Sequence, residues 1–63
     1  MMGGTFSFDL QARVRIRESG EVGEVIGRAE YTFSSDSYLV RYKAADGRAV
    51  ENWWTESSLE AAA

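Results

Sequence analysis

The sequence predicts an all-β domain: five short strands curled into a small barrel, with a 3-10 turn before the last strand. Three observations point there. Short runs alternate apolar and polar residues with a period of two, the signature of half-buried strands. Turn residues, Gly above all, separate these runs at close spacing. The chain has 63 residues, 13% of them aromatic, which allows one domain with one ring-rich core. With about five strands, closing the sheet on itself is the economical solution, because a barrel hides strand edges.

Residues 12–17 form the first expected strand. Val14 and Ile16 share one face; Arg13, Arg15 and Arg17 share the other. Glu18-Ser19-Gly20-Glu21 breaks the pattern with turn residues. Residues 22–33 are a longer β-prone stretch, interrupted by Gly23 and Gly27. Glycine inside a strand pattern marks a bulge or a bend, which a small barrel needs. A helix over residues 27–31 is disfavoured by the glycines nearby. After the polar loop Ser34-Ser35-Asp36-Ser37, residues 38–43 alternate strictly. Tyr38, Val40 and Tyr42 share one face, and Leu39, Arg41 and Lys43 the other. Asp46-Gly47 is a hairpin signal, because Gly accepts positive φ cheaply. Residues 48–53 return as the partner strand. Residues 54–59 read as a tight turn, one 3-10 turn long, that delivers Leu59 to the core. Thr55 competes as an N-cap, although no Glu or Gln follows three residues on.

The expected organisation is an N-terminal arm (1–9), a barrel (10–60) and a tail (61–63). Phe6-Ser7-Phe8 would lay that arm across the barrel or across a partner. There is no Cys and no His, so disulfides and Cys/His zinc sites are excluded. A chain of this size buries only about 60% of its unfolded surface. Its stability therefore rests on dense packing, oligomerisation or both. Eight aromatic rings, each able to bury roughly 150–250 Å², provide the packing. Residues 1–11 show neither a basic segment nor an apolar core of a signal peptide. No run approaches the ~20 apolar residues of a spanning helix. The expected location is cytoplasmic, with no membrane partner.

The order of features resembles an SH3-like small barrel. The resemblance rests on Ala12-Arg13-Val14-Arg15-Ile16, Ser19-Gly20, Gly23-Glu24-Val25-Ile26-Gly27, Tyr38-Leu39-Val40-Arg41-Tyr42, Asp46-Gly47 and Glu56-Ser57-Ser58-Leu59. It covers residues 10–59. Tudor, chromo-barrel and KOW-type domains share this outline, and so do the plasmid-encoded type II dihydrofolate reductases. The reductase resemblance implies four chains around a central pore and a Val-Gln-Ile-Tyr motif on the returning strand. Here that stretch is Val50-Glu51-Asn52-Trp53-Trp54. Only Val50 matches, with Arg17 in place of the family's basic residue, and Glu51 would repel a folate glutamate tail. The Tudor resemblance implies an aromatic cage for methylated Lys or Arg, held by cation–π contact. Tyr31, Tyr38, Tyr42, Trp53 and Trp54 would supply its walls, although tyrosines at alternating positions are more often core. A compact barrel without a catalytic motif also resembles accessory proteins of phages and other mobile elements.

Trp53-Trp54 is the feature that most constrains a site. Neighbouring strand residues point to opposite faces, so one Trp enters the core and the other faces out. An outward Trp commonly marks contact with another molecule. The competing reading is a ring that covers the open end of the barrel beneath Phe6 and Phe8. Arg13, Arg15 and Arg17, extended by Arg41 and Lys43, form a stripe that would suit nucleic acid. A net charge of −3 favours instead a solvated face paired with Glu24, Glu51 or another acid. The carboxylates and serines offer no catalytic set: Glu18, Glu21 and Glu24 lie among glycines, and no His activates a Ser.

The residues favour a non-catalytic protein-interaction or self-association module. Its surface would involve Trp53, Trp54, Tyr31 and Tyr42, and it would need no cofactor or metal. The partner is a protein or a second copy of the chain. A nucleic-acid-binding barrel using Arg13, Arg15, Arg17, Arg41 and Lys43 is the second reading. A divergent type II-like reductase is the third.

Overall fold

The structure, a computed structural model, describes residues 6–62. It is all-β: β1 Arg13–Ile16, β2 Val22–Ala29, β3 Ser37–Lys43, β4 Ala49–Thr55 and β5 Leu59–Ala61, with one 3-10 turn, Glu56–Ser58, before β5. All pairings are antiparallel, and the strands lie in the order β4-β3-β2-β1-β5. This five-stranded sheet is compatible with a small barrel. No ladder joins β4 to β5 among the described residues, so the sheet keeps two edges.

The core lies on one face, here called inner. Val14, Ile16, Val25, Tyr38, Val40 and Leu59 are all at most 2% exposed. Their placement follows from the period-two alternation on each strand and from a register that sets Val25 opposite Val40 and Ile16 opposite Leu59. Phe6, Phe8, Ala12, Tyr42 and Trp54 pack around this cluster.

The two strand glycines do different jobs. The β2–β3 register shifts between Val25 and Gly27, a bulge that takes in Ile26. Gly23 sits opposite Tyr42 on the inner face. A Cβ there would collide with the Arg41 carbonyl oxygen and lie 2.8 Å from both Tyr42 Cβ and Val40 Cγ1. Two further glycines close turns at positive φ, Gly20 at +81° and Gly47 at +86°. The Gly47 N–H donates to the Ala44 carbonyl (2.9 Å) and the Ala44 N–H to the Arg48 carbonyl (2.8 Å), the hairpin expected at Asp46-Gly47.

Several boundaries differ from expectation: β1 is shorter at both ends, Ser37 leaves the expected loop to open β3, and β4 starts at Ala49. β2 ends at Ala29, its last pair being Ala29 with Ser37, so Tyr31 and Phe33 lie in the loop that follows. β4 runs on through Trp54 and Thr55. β5 takes in Ala61, which pairs with Val14. Thr55 occupies the N-cap of the 3-10 turn but makes no side-chain capping bond. Its hydroxyl lies 3.1 Å from the Ser58 hydroxyl.

Phe6 and Phe8 pack on their own sheet. Both rings meet Tyr38 edge-on, with centroids 5.9 and 5.2 Å away. The Tyr38 hydroxyl accepts from the Ser7 N–H (2.9 Å) and donates to Glu56 Oε1 (2.8 Å). One phenol thus ties the arm, β3 and the 3-10 turn together. Arg28 adds a cation–π contact, its Cζ 4.5 Å from the Phe6 ring centroid. Residues 1–5 of the expected arm and Ala63 of the expected tail lie outside the described residues.

Candidate functional site

The phase of β4 decides which Trp faces out. The β3–β4 register sets Tyr38 opposite Trp54 and Leu39 opposite Trp53. Tyr38 belongs to the core, so Trp54 joins the inner face and Trp53 the outer one. Trp53 is 53% exposed. Its ring reaches across Leu39 toward Gly27, where an added Cβ would lie 3.8 Å from Trp53 Cη2 and 3.3 Å from Leu39 Cβ. A large aromatic ring over a small, flat apolar strip, with one side open to solvent, is the arrangement this surface offers to a partner.

The structure divides the four aromatic residues expected at the site. Trp53 stands on the outer face. Trp54 and Tyr42 stand on the inner face with ring centroids 6.5 Å apart. Tyr42 also accepts a hydrogen bond from Asn52 Nδ2 (3.0 Å). Tyr31, 51% exposed, lies in the loop after β2 with Phe33, which is 92% exposed. Alternation places Leu39 on the outer face, but nothing in the local sequence marks it as part of a site. Its importance appears only when Trp53 and Gly27 are placed beside it. Asn52 carried no sequence signal at all.

Trp54 Nε1 is buried without a hydrogen-bond partner among the described residues. An orphaned N–H of this kind costs about 1–3 kcal/mol. Trp54→Phe removes it and keeps most of the ring, so the two effects offset. Thermal or urea unfolding should show a change within about 1 kcal/mol, against a loss of ~3 kcal/mol or more for Trp54→Ala.

The charged residues of the outer face form a row of alternating sign. The registers set Arg13 opposite Glu24, Glu24 opposite Arg41 and Arg41 opposite Glu51. Arg41 donates to Glu51 Oε2 from Nε at 3.0 Å and from Nη2 at 2.8 Å. Arg15 and Arg17 share Glu60, at 3.3 and 3.2 Å. Lys43 is exposed at the end of β3, opposite Ala49. The basic residues expected to form a stripe are therefore interleaved with acids. Each exposed pair contributes about 0–1 kcal/mol, so their main effect is to even out the surface potential.

Among the described residues, no cluster of three or more His, Cys, Asp or Glu side chains could hold a metal ion. No helix there is long and apolar enough to cross a membrane. Comparison with known protein families, with curated proteins and with solved structures finds no match.

Proposed function

We propose that this chain is a non-catalytic interaction module that self-associates, with Trp53 at the contact. The observation that carries the reading is the half-exposed Trp53 ring, lying over Leu39 and Gly27 on an otherwise charge-balanced sheet face. Trp is enriched among the few residues that dominate binding energy, and it loses little side-chain entropy on docking. The small size of the chain adds weight, since burial against a second copy would supplement a small core.

The scaffold is read as an SH3-like barrel. The strand order β4-β3-β2-β1-β5 and the 3-10 turn before β5 support this. A nucleic-acid role has less support, because Glu24, Glu51 and Glu60 break up the basic stripe.

Trp53→Ser is the test. Trp53 is half-exposed and packs on Leu39, so the variant should lose about 1 kcal/mol of stability and still fold. Its self-association, read from the concentration dependence of elution and sedimentation, should weaken at least tenfold. Leu10→Ser, at another exposed apolar side chain, should associate like the native chain. Equal association by the native chain and Trp53→Ser would remove Trp53 from the contact.

A further inference from the structure

The Trp53 face adjoins a second feature, the open backbone edge of β4. We propose that two copies of the chain join edge to edge through β4, antiparallel and centred on Asn52, to make one continuous sheet. This inference rests on the self-association reading and specifies its geometry.

The outer edge of β4 can be read from the hairpin. Antiparallel residue pairs alternate between hydrogen-bonded and non-hydrogen-bonded. The Ala44 N–H donates to the Arg48 carbonyl at one end of the β3–β4 ladder, and the Glu56 N–H to the Asp36 carbonyl at the other. The register between them runs without a shift. Val50, Asn52 and Trp54 therefore turn their backbone groups toward β3. Ala49, Glu51, Trp53 and Thr55 turn theirs outward, where no backbone partner meets them among the described residues.

Edges of this length are normally blunted by Pro, by a bulge or by unpaired charge. β4 has none of these. The chain contains no Pro. The bulge lies in the β2–β3 ladder instead. The one charge on β4, Glu51, is already matched by Arg41. The other edge strand, β5, has only three residues against seven in β4.

The sequence of β4 selects a second copy of itself and one register. The outward groups fall on alternate residues, so a symmetric pair can be centred on Glu51, Asn52 or Trp53. Centring on Glu51 sets two like charges face to face, which is destabilising. Centring on Trp53 shortens the overlap and leaves Ala49 and Val50 unpaired. Centring on Asn52 overlaps all of β4. It sets Ala49 opposite Thr55, Val50 opposite Trp54, and Glu51 opposite Trp53. The two Trp53 rings then meet as diagonal neighbours, within reach for aromatic side chains. Asn52 faces its own copy across the two-fold axis. Its Nδ2 keeps one N–H for Tyr42, and its remaining N–H and Oδ1 match the same groups of the second Asn52.

Cysteine scanning tests the register, and the native chain has no Cys to interfere. In a non-hydrogen-bonded pair the Cα atoms lie ~4.5 Å apart, within disulfide range. Asn52→Cys should therefore give a disulfide-linked dimer under mild oxidation, reversed by reductant. Glu51→Cys, Trp53→Cys and the β1 control Arg15→Cys should stay unlinked. A native chain that sediments as a dimer while Asn52→Cys stays unlinked would overturn this arrangement and leave self-association standing. Linkage of Glu51→Cys or Trp53→Cys in preference to Asn52→Cys would overturn the register. A native chain that is monomeric at every concentration would remove both the arrangement and the reading beneath it.

Discussion

Tyr38→Phe should destabilise the protein by about 2 kcal/mol, and Tyr38→Ala should leave it largely unfolded. The phenylalanine variant keeps the ring that Phe6 and Phe8 pack against, and loses only the hydroxyl. That hydroxyl accepts from the Ser7 N–H and donates to the Glu56 carboxylate. A bond to a charged group is worth about 1.5–3 kcal/mol, and a neutral one less. The alanine variant also removes a fully buried ring, which costs ~3–5 kcal/mol. A core of this size seldom supplies more than about 3–5 kcal/mol in total. Urea unfolding monitored by far-UV circular dichroism separates the two cases.

The same phenol predicts an alkaline limit. Burial, together with the hydrogen bond to Glu56, raises the Tyr38 pKa above its ordinary 10.0. A pKa raised in the folded state means that the folded protein holds the proton more tightly than the unfolded chain. The contribution of this group is therefore fully present below pH 10.0, the unfolded value, and is lost as pH rises through the folded value. In Tyr38→Phe this component of the alkaline loss should be absent. Equal slopes of stability against pH above 10 in both proteins would contradict the assignment.

The second large effect is at Gly23. Gly23→Ala should cost about 3 kcal/mol, in contrast to the turn glycines. The added methyl group would strike the Arg41 carbonyl, a backbone atom that cannot swing aside. Relief requires the β2–β3 ladder to separate, and this ladder carries Val25 and Val40 into the core. At Gly20 and Gly47 an added Cβ meets nothing within 4 Å. Alanine there suffers only the unfavourable positive φ, a cost of roughly 1–2 kcal/mol. Thermal melts of the three alanine variants should rank Gly23 as the most damaging. A Gly23→Ala melt within the range of the other two would show that the ladder yields more easily than its geometry implies.

These residues also show what was legible in the sequence. The alternation Tyr38-Leu39-Val40-Arg41-Tyr42 assigned the two faces of β3 correctly, because a strand with one buried face must alternate. Asp46-Gly47 marked its hairpin, because the turn needs a residue that tolerates positive φ. The opposition of Trp53 and Trp54 followed from the same alternation. Which ring faced out did not, since that depends on the register with β3. Tyr31 and Phe33 misled for a related reason. They have strand propensity, but no partner strand lies beyond the Ala29–Ser37 pair, and propensity without a ladder does not make a strand. The Ser7–Tyr38–Glu56 network joins residues far apart in the chain and leaves no local pattern. Gly23 and Gly27 looked alike in sequence. Only the structure separates a site of close backbone approach from a neighbour of a bulge.

The candidate site was legible to the same depth. The Trp53-Trp54 pair stands out because two adjacent large rings on a regular strand leave one of them exposed, and the register with β3 picks Trp53. Leu39 and Asn52 did not stand out, because each matters through what lies across the ladder. The charged stripe was read correctly as to which residues are basic. Net charge alone favours its pairing with Glu24 and Glu51, and the registers place those two acids beside Arg13 and Arg41; Glu60 as the shared partner of Arg15 and Arg17 appears only once the strands are placed side by side.

Sedimentation equilibrium of the native chain over a wide concentration range decides whether it self-associates through Trp53. The chain mass is 7.0 kDa. The weight-average mass should rise with concentration toward that of two chains, while Trp53→Ser stays near one chain at the same concentrations. A native mass fixed at that of one chain, up to millimolar concentration, would contradict self-association.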